Sequence, residues 1–430
     1  MANVILIRFL NAPYALHIRL QGSQSYVGVN YGLVADNLPP PSATAKLLQS
    51  TSIGKVRLYN ADPAIIKSLA NTNIGITIGA ANADIPAFAS DVNSAKSWIT
   101  ANVLAYPSSK IILINVGNEV LQYGTPELKA QLLPAMQNMQ TAINDASLGG
   151  KIKVSTVHSM SVLGSSEPPS AGRFDPSVVD LLKGLLEFNK ANDSPFMINP
   201  YPFFAYQDDP RPDTLAFCLF QPNAGRPDSG TNIKYTNMFD AQVDAVRSAL
   251  NAMSFNDVEI VVAETGWPYN GGPEEFGATV ENAKAYNGNL IAHLRSGVGT
   301  PLMPGKSIDT YLFALYDEDL KPGKISEKSF GIYKTDLTPI YDLGLSRNSQ
   351  GGLANAPTPT LSPPADVPAN TTGGATTLPT NSSTTTTPSS TAPGRDSPSA
   401  KVNASKNAAS LYNMDISFVV ILFLAIASLM

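Results

Sequence analysis

A closed (β/α)₈ barrel is the fold this sequence predicts, on three observations. Eight short apolar runs recur about every 40 residues between Tyr26 and Leu345. Segments with helical spacing lie between them, which argues for parallel βα units. Several runs end abruptly in polar residues, as barrel strands do at the face where active sites sit. A doubly wound open sheet is the alternative, but no GxGxxG follows the first run.

The elements follow in order. YVGVN opens the domain, and PPPSATAKLLQS follows it with proline at its start and apolar residues three and four apart, a helix. KVRLYN and GITIGA are the second and third runs, and IILINVGNE is the fourth. PELKAQLLPAMQNMQTAIND comes next as a helix, with Leu128, Leu132, Met136 and Met139 on one face. IKVSTV and FMINPYPF are runs five and six. In YTNMFDAQVDAVRSALNAM, Phe239, Val243, Val246 and Leu250 share a helix face. EIVVAETGW and TYLFALYDE complete the set.

Composition narrows the partners. The chain has 430 residues, enough for a large core, with 15% charged residues and a net charge of −5. There is no basic patch or Arg-rich run to meet nucleic acid, so a neutral partner fits better. Cys218 is the only cysteine, which makes an intramolecular disulfide impossible. Three histidines without HExxH give no metal-site spacing, and no cofactor is expected. The barrel is expected to be a monomer.

The flanking segments read differently. Residues 1–25 (MANVILIRFLNAPYALHIRL and on) form a poor signal peptide or an altered start, because Arg8, His17 and Arg19 break the apolar stretch. Between Gly351 and Ala400, Ser, Thr and Pro make up 28 of 50 residues, with no aromatic; a chain of this kind cannot offset its ordering entropy. Residues 346–405 are therefore expected to be a disordered, glycosylated stalk, with sequons at Asn370, Asn381 and Asn403. Asn192 also heads a sequon, which the following Pro195 weakens. Ile416–Met430 is an uncharged apolar run of 15 residues, short for a spanning helix of about 20. Small residues (NASKNAAS), a polar spacer and this run have the layout of a glycosylphosphatidylinositol (GPI) anchor signal. Residues 406–430 would then be removed, with Asn403 and Ser405 as attachment candidates; a tail-anchored helix is the rival.

The strand ends carry the chemistry. Run four ends in Asn118 and Glu119, and run seven in Glu264. A glutamate ending an apolar strand is costly to desolvate unless paired or used. Runs two and six offer Tyr59, Asn60, Asn199, Tyr201 and Phe204, and run eight offers Glu318 and Lys321, with Glu327 shortly after. In a barrel, Glu119 and Glu264 converge at one mouth. Cleavage of a sugar–sugar bond needs such a pair, one protonated for the leaving oxygen and one ionised to attack the anomeric carbon, so their environments must push the pKa values apart. Tyr59, Tyr201, Phe204 and Trp267 would offer flat faces to sugar rings, though rim packing explains an aromatic here as well. For Glu318, Lys321 and Glu327 the plainer reading is a surface salt-bridge cluster.

The motifs VGVNYG, VRLYNADP, INVGNEV, NPYPFFAY, VVAETGWP, FALYDEDLKPG and SFGIYKTDLTPIYDL, in that order from Val27 to Leu343, resemble the plant endo-β-1,3-glucanases, family 17 of the glycoside hydrolases. The resemblance implies a (β/α)₈ barrel that hydrolyses with retention. It implies Glu119 as acid/base, Glu264 as nucleophile, and a supporting network of Glu318, Lys321 and Glu327. The substrate implied is β-1,3-glucan of the callose type, at the plasma membrane's outer face and in the wall; plasmodesmata and a defence role are left open. This sequence departs from the pattern at Tyr269, where a small polar residue is usual, and at Asp317, where asparagine is usual. The cysteine-rich glucan-binding module often found after this domain is missing, since one cysteine cannot build it. The competing expectations are an inactive wall-glucan binding protein on the same fold and a hydrolase of mixed-linkage β-1,3-1,4-glucan.

Overall fold

The computed structural model describes residues 27–347. The leader at 1–25, most of the stalk, the sequons Asn370, Asn381 and Asn403, the anchor candidate Ser405 and the apolar run 416–430 lie outside the described residues.

Eight parallel strands close into a barrel: β1 Val27–Tyr31, β2 Lys55–Leu58, β3 Gly75–Ala80, β4 Ile111–Asn118, β5 Lys153–Ser159, β6 Phe196–Asn199, β7 Ile260–Thr265 and β8 Thr310–Leu312. Each pairs with its neighbours in sequence, and β8 closes on β1 with Val27 opposite Thr310 and Val29 opposite Leu312. All eight predicted runs are strands. TYLFALYDE is a strand only over its first three residues, and FMINPYPF turns into the helix Pro202–Asp208 after Asn199.

The helices begin where the sequence supplies caps. Thr125 accepts from the Leu128 N–H at the head of Pro126–Asp145, Asn237 from Asp240 at the head of Met238–Ala252, and Thr279 from Asn282 at the head of Val280–Ser296. The last of these stops at Gly297, which takes the left-handed conformation. Pro41–Gln49, Pro63–Ser68 and Pro126–Asp145 carry proline in the first turn, where no amide hydrogen is needed.

Alternation along the strands builds two apolar layers. Val56, Leu58, Ile76, Ile78, Ile114, Val116, Ile198 and Val262 join the large core. Leu113, Val157, Met197, Val261, Ala263 and Tyr311 point the other way and form a separate small cluster inside the barrel. The interior is therefore packed, and any site has to lie above it, at the strand ends. Among the described residues no helix is long and apolar enough to cross a membrane.

Candidate active site

Strands β4 and β7 each lose regular register at their carboxylate-bearing ends. Along β4, Asn115 faces Ser155 and Asn118 faces Val157, so three steps on β4 match two on β5. Along β7, Val262 faces Thr310 and Thr265 faces Leu312, again three against two. One extra residue flips the alternation, and a bulge of this kind re-aims a side chain. Ala263 and Glu264 consequently both face the barrel axis. The Ala263 carbonyl accepts from Asn30 Nδ2 at 2.9 Å and from Arg57 Nη1 at 3.3 Å, while Thr265 turns outward to the Tyr286 hydroxyl. Without the bulge, Glu264 would have pointed into the helix layer.

Glu264 sits among donors. Its Oε1 accepts from Arg57 Nη1 at 2.6 Å and from the Tyr59 hydroxyl at 2.8 Å, and its Oε2 accepts from the Tyr201 hydroxyl at 3.0 Å. Burial holds both phenols well above their ordinary pKa, and the charge of Glu264 adds to this. They stay neutral and donate. Each of these bonds is one that an ionised carboxylate accepts.

Glu119 stands in a different setting. It follows β4 with φ of 52° and ψ of 32°, a left-handed conformation uncommon outside glycine. Its Oε1 accepts a single amide hydrogen, from Asn199 Nδ2 at 2.8 Å. Burial, and next the negative charge of Glu264, raise its pKa to about 7; Asn199, Arg57 and Lys321 work against the rise. One carboxyl of the pair is thus poised to hold a proton near neutrality beside another wrapped in donors.

Asn118 Oδ1 accepts from Arg57 Nη2 at 2.7 Å, so one guanidinium bridges the two strand ends. Asn82 holds the Asn118 backbone from both sides, accepting from its N–H at 2.8 Å and donating to its carbonyl at 3.1 Å. Glu318 is buried and accepts from the Val34 N–H at 3.1 Å; Lys321 pairs with Glu327 at 3.1 Å and lies 4.5 Å from the centre of the Phe313 ring. The Phe313 ring under Lys321 packs against Tyr201, which donates to Glu264, and this sets the cluster beside the carboxylates.

One expectation needs correction. Trp267 offers no face to a sugar: it is fully buried, its Nε1 donates to the Gly277 carbonyl at 2.8 Å, and its ring packs among Phe203, Tyr206 and Tyr286. Tyr59 has the Arg57 guanidinium 4.5 Å over its ring, so that face is taken and its hydroxyl is the working end. Asn60 is exposed, and its carbonyl receives the Gly79 N–H at 3.4 Å. Phe204 is 41% exposed on the rim, in contact with Tyr201. Sequence reasoning missed Arg57. A charge flanked by the apolar Val56 and Leu58 was the available signal, because alternation turns it into the barrel.

Among the described residues no cluster of histidine, cysteine and carboxylate side chains could hold a metal ion. A hollow of about 670 Å³ lies away from the strand ends, lined by Phe220, Asn223, Asn237 and His293 among others. Its polar groups are committed to one another: Asp240 binds both His293 and Asn237.

Comparison with known proteins agrees with this geometry. The family model described as glycosyl hydrolases family 17 matches residues 27–345. The chain is 66% identical over 350 residues to glucan endo-1,3-beta-glucosidase 7 of Arabidopsis thaliana, covering 81% of this chain and 69% of that one. It is 63% identical over 340 residues to the glucan endo-1,3-beta-D-glucosidase of Olea europaea, covering 79% and 74%. A solved beta-1,3-glucanase and pollen allergen of Cryptomeria japonica superposes with a TM-score of 0.71 at 41% identity, covering 75% of this chain and 100% of that one. A solved plant beta-glucan endohydrolase gives 0.68 at 34% identity, covering 74% and 99%. By the extent of these matches, over the same residues that build the barrel and its two carboxylate-bearing strand ends, the chain belongs to family 17 of the glycosyl hydrolases.

Proposed function

We propose that the protein is a retaining endo-hydrolase of internal β-1,3-glucosidic bonds in β-1,3-glucan, with Glu264 as nucleophile and Glu119 as acid/base. The contrast between the two carboxyls carries this reading: one is raised to about 7, the other is held by a guanidinium and two phenols. In the first step a Glu264 oxygen bonds to the anomeric carbon, the glycosidic C–O bond breaks, and the Glu119 proton passes to the leaving oxygen. In the second, water attacks the same carbon, its proton goes to Glu119, and Glu264 leaves as carboxylate. The first product keeps the β configuration. The glucanases among the relatives support the substrate class.

The test is incubation of the purified chain with a linear β-1,3-glucan and with a mixed-linkage glucan, followed by product sizing and proton NMR during early turnover. We expect β-1,3-oligosaccharides of intermediate length and a β-anomer first. Glu264→Gln should bind glucan and lose at least about a thousandfold in kcat, since the amide cannot form the glycosyl-enzyme. Near-normal turnover in that variant, or an initial α-anomer, would remove Glu264 from its role.

For the flanks, we infer from the sequence that the barrel is displayed on the outer face of the plasma membrane by a GPI anchor at Asn403 or Ser405, on a glycosylated Ser/Thr/Pro stalk.

A further inference from the structure

The segment after β8 brings Glu318, Lys321 and Glu327 to the carboxylate pair, yet its only regular element is the short 3-10 turn Ile325–Lys328. Three clasps hold it. The first joins it to the loop after β1, where the Val34 N–H donates to Glu318 and the Leu320 N–H donates to the Val34 carbonyl at 3.1 Å. The second comes from the loop after β7, where Glu275 accepts from the Ser326 N–H at 3.1 Å and from the Ser326 hydroxyl.

Tyr269 makes the third. Its backbone N–H donates to the Ser329 carbonyl at 2.9 Å, and its hydroxyl donates to Asp317 Oδ2. The other oxygen, Asp317 Oδ1, accepts from the Gly331 N–H at 2.8 Å. Tyr269 therefore ties together residues 317 and 329–331, the two ends of the loop that carries all three charged side chains. It stands five residues past Glu264, beyond the fully buried Trp267, so its own segment is anchored to the core. The two positions where the sequence departs from its resemblance, 269 and 317, are thus one hydrogen-bonded pair.

We propose that Tyr269, acting with Asp317, is a positioning residue for hydrolysis: it fixes the loop so that Lys321 and Glu318 keep their place relative to Glu264 and Glu119. Lys321 lies over the Phe313 ring, which packs against Tyr201, the donor to Glu264, and its charge acts on both carboxylates, so the loop's position bears directly on the chemistry. Tyr269 touches neither carboxylate and acts only through the loop. The proposal rests on the functional reading above.

Kinetics of the purified full chain on a linear β-1,3-glucan test it, with Tyr269→Phe, Asp317→Ala, Asp317→Asn and the double variant Tyr269→Phe/Asp317→Ala. A loosened loop misplaces a charge beside the reacting groups, so Tyr269→Phe should lower kcat about tenfold and leave KM within about twofold. Asp317→Ala, which also leaves the Gly331 N–H without its acceptor, should fall at least as far, and the double variant no further than Asp317→Ala, because that change has already removed the Tyr269–Asp317 bond. Asp317→Asn can keep its oxygen for the Gly331 N–H and turn its amide nitrogen to donate to the Tyr269 hydroxyl, so it should stay nearer the parent. A Tyr269→Phe kcat within about twofold of the parent, additive losses in the double variant, or a raised KM at unchanged kcat would each overturn the proposal. A parent chain that does not turn over β-1,3-glucan removes the functional reading and this proposal with it. An active parent with unaffected variants removes this proposal alone.

Discussion

Glu119 carries costs that the rest of the site sustains: a left-handed backbone, burial, and a carboxylate neighbour. The first two put its carboxyl where Asn199 can reach it, and the last two raise its pKa to about 7 from an ordinary 4.5. The folded protein therefore holds this proton more tightly than the unfolded chain does. By linkage, the protonated group is fully tolerated below about pH 4.5, and stability is lost as pH rises from there through about 7. Glu119→Gln removes that titration and keeps an oxygen for Asn199. Thermal unfolding of parent and variant should thus agree near pH 4, while at pH 8 the variant should be more stable by at most about 3 kcal/mol. Equal melting temperatures at both pH values would contradict the raised pKa. The alkaline limb of kcat/KM in the parent should fall near the same pKa. Arg57 answers the opposite need. It is buried and binds Glu264 and Asn118 together, and its burial is tolerated because both partners are at hand.

At the level of elements, the strands and the residues that end them were legible, and the direction in which those residues point was not. Period-two apolar runs and capped helices depend on local sequence, so the eight strands and the helix Pro126–Asp145 could be read directly. The bulges in β4 and β7 depend on the partner strand's register, which no single run encodes. From alternation alone Glu264 belongs with Val262 on the helix side; its inward aim is a property of the pair β7–β8. Trp267 misled for a related reason. Its place three residues past a catalytic-looking glutamate suggested the rim, but the chain folds back and buries the ring. Gly117 is the local mark of the β4 bulge. It has φ of 73°, and a Cβ there would come within 2.6 Å of Val120 Cγ2 and 2.9 Å of Asn82 Oδ1. Asn82 is the side chain that pins Asn118. Gly117→Ala should therefore cost about 1–2 kcal/mol from the backbone alone, with a further loss from the contacts. For a barrel of this size the backbone part alone lowers the melting temperature by roughly 1–3 °C. Turnover should fall further than the stability change explains, since Glu119 follows two residues later. An unchanged melting temperature with full activity would show that the bulge does not need glycine.

Across the whole chain, position and chemistry divide between segments. The barrel has no free edge among its eight strands, and both carboxylates, Arg57 and the charged loop lie within residues 27–347. Chemistry needs nothing from the stalk, so a chain trimmed to residues 27–347 should hydrolyse β-1,3-glucan with the products of the full chain. On the proposed reading, where the barrel works is set by the sequence that follows it. Ile416–Met430 is apolar and uncharged but about five residues short of a spanning helix, and residues 406–415 supply a polar spacer after small residues at 403–405. On the proposed reading a glycolipid with two acyl chains replaces this run; two chains hold stably where one binds only marginally. Intact membranes bearing the full chain, treated with phosphatidylinositol-specific phospholipase C, should then release active enzyme without residues 416–430, while the trimmed chain is never membrane-bound. Enzyme that stays in the membrane after treatment and still carries Ile416–Met430 by mass spectrometry would mean that a helix holds it, because lipase cleavage cannot cut a polypeptide tether.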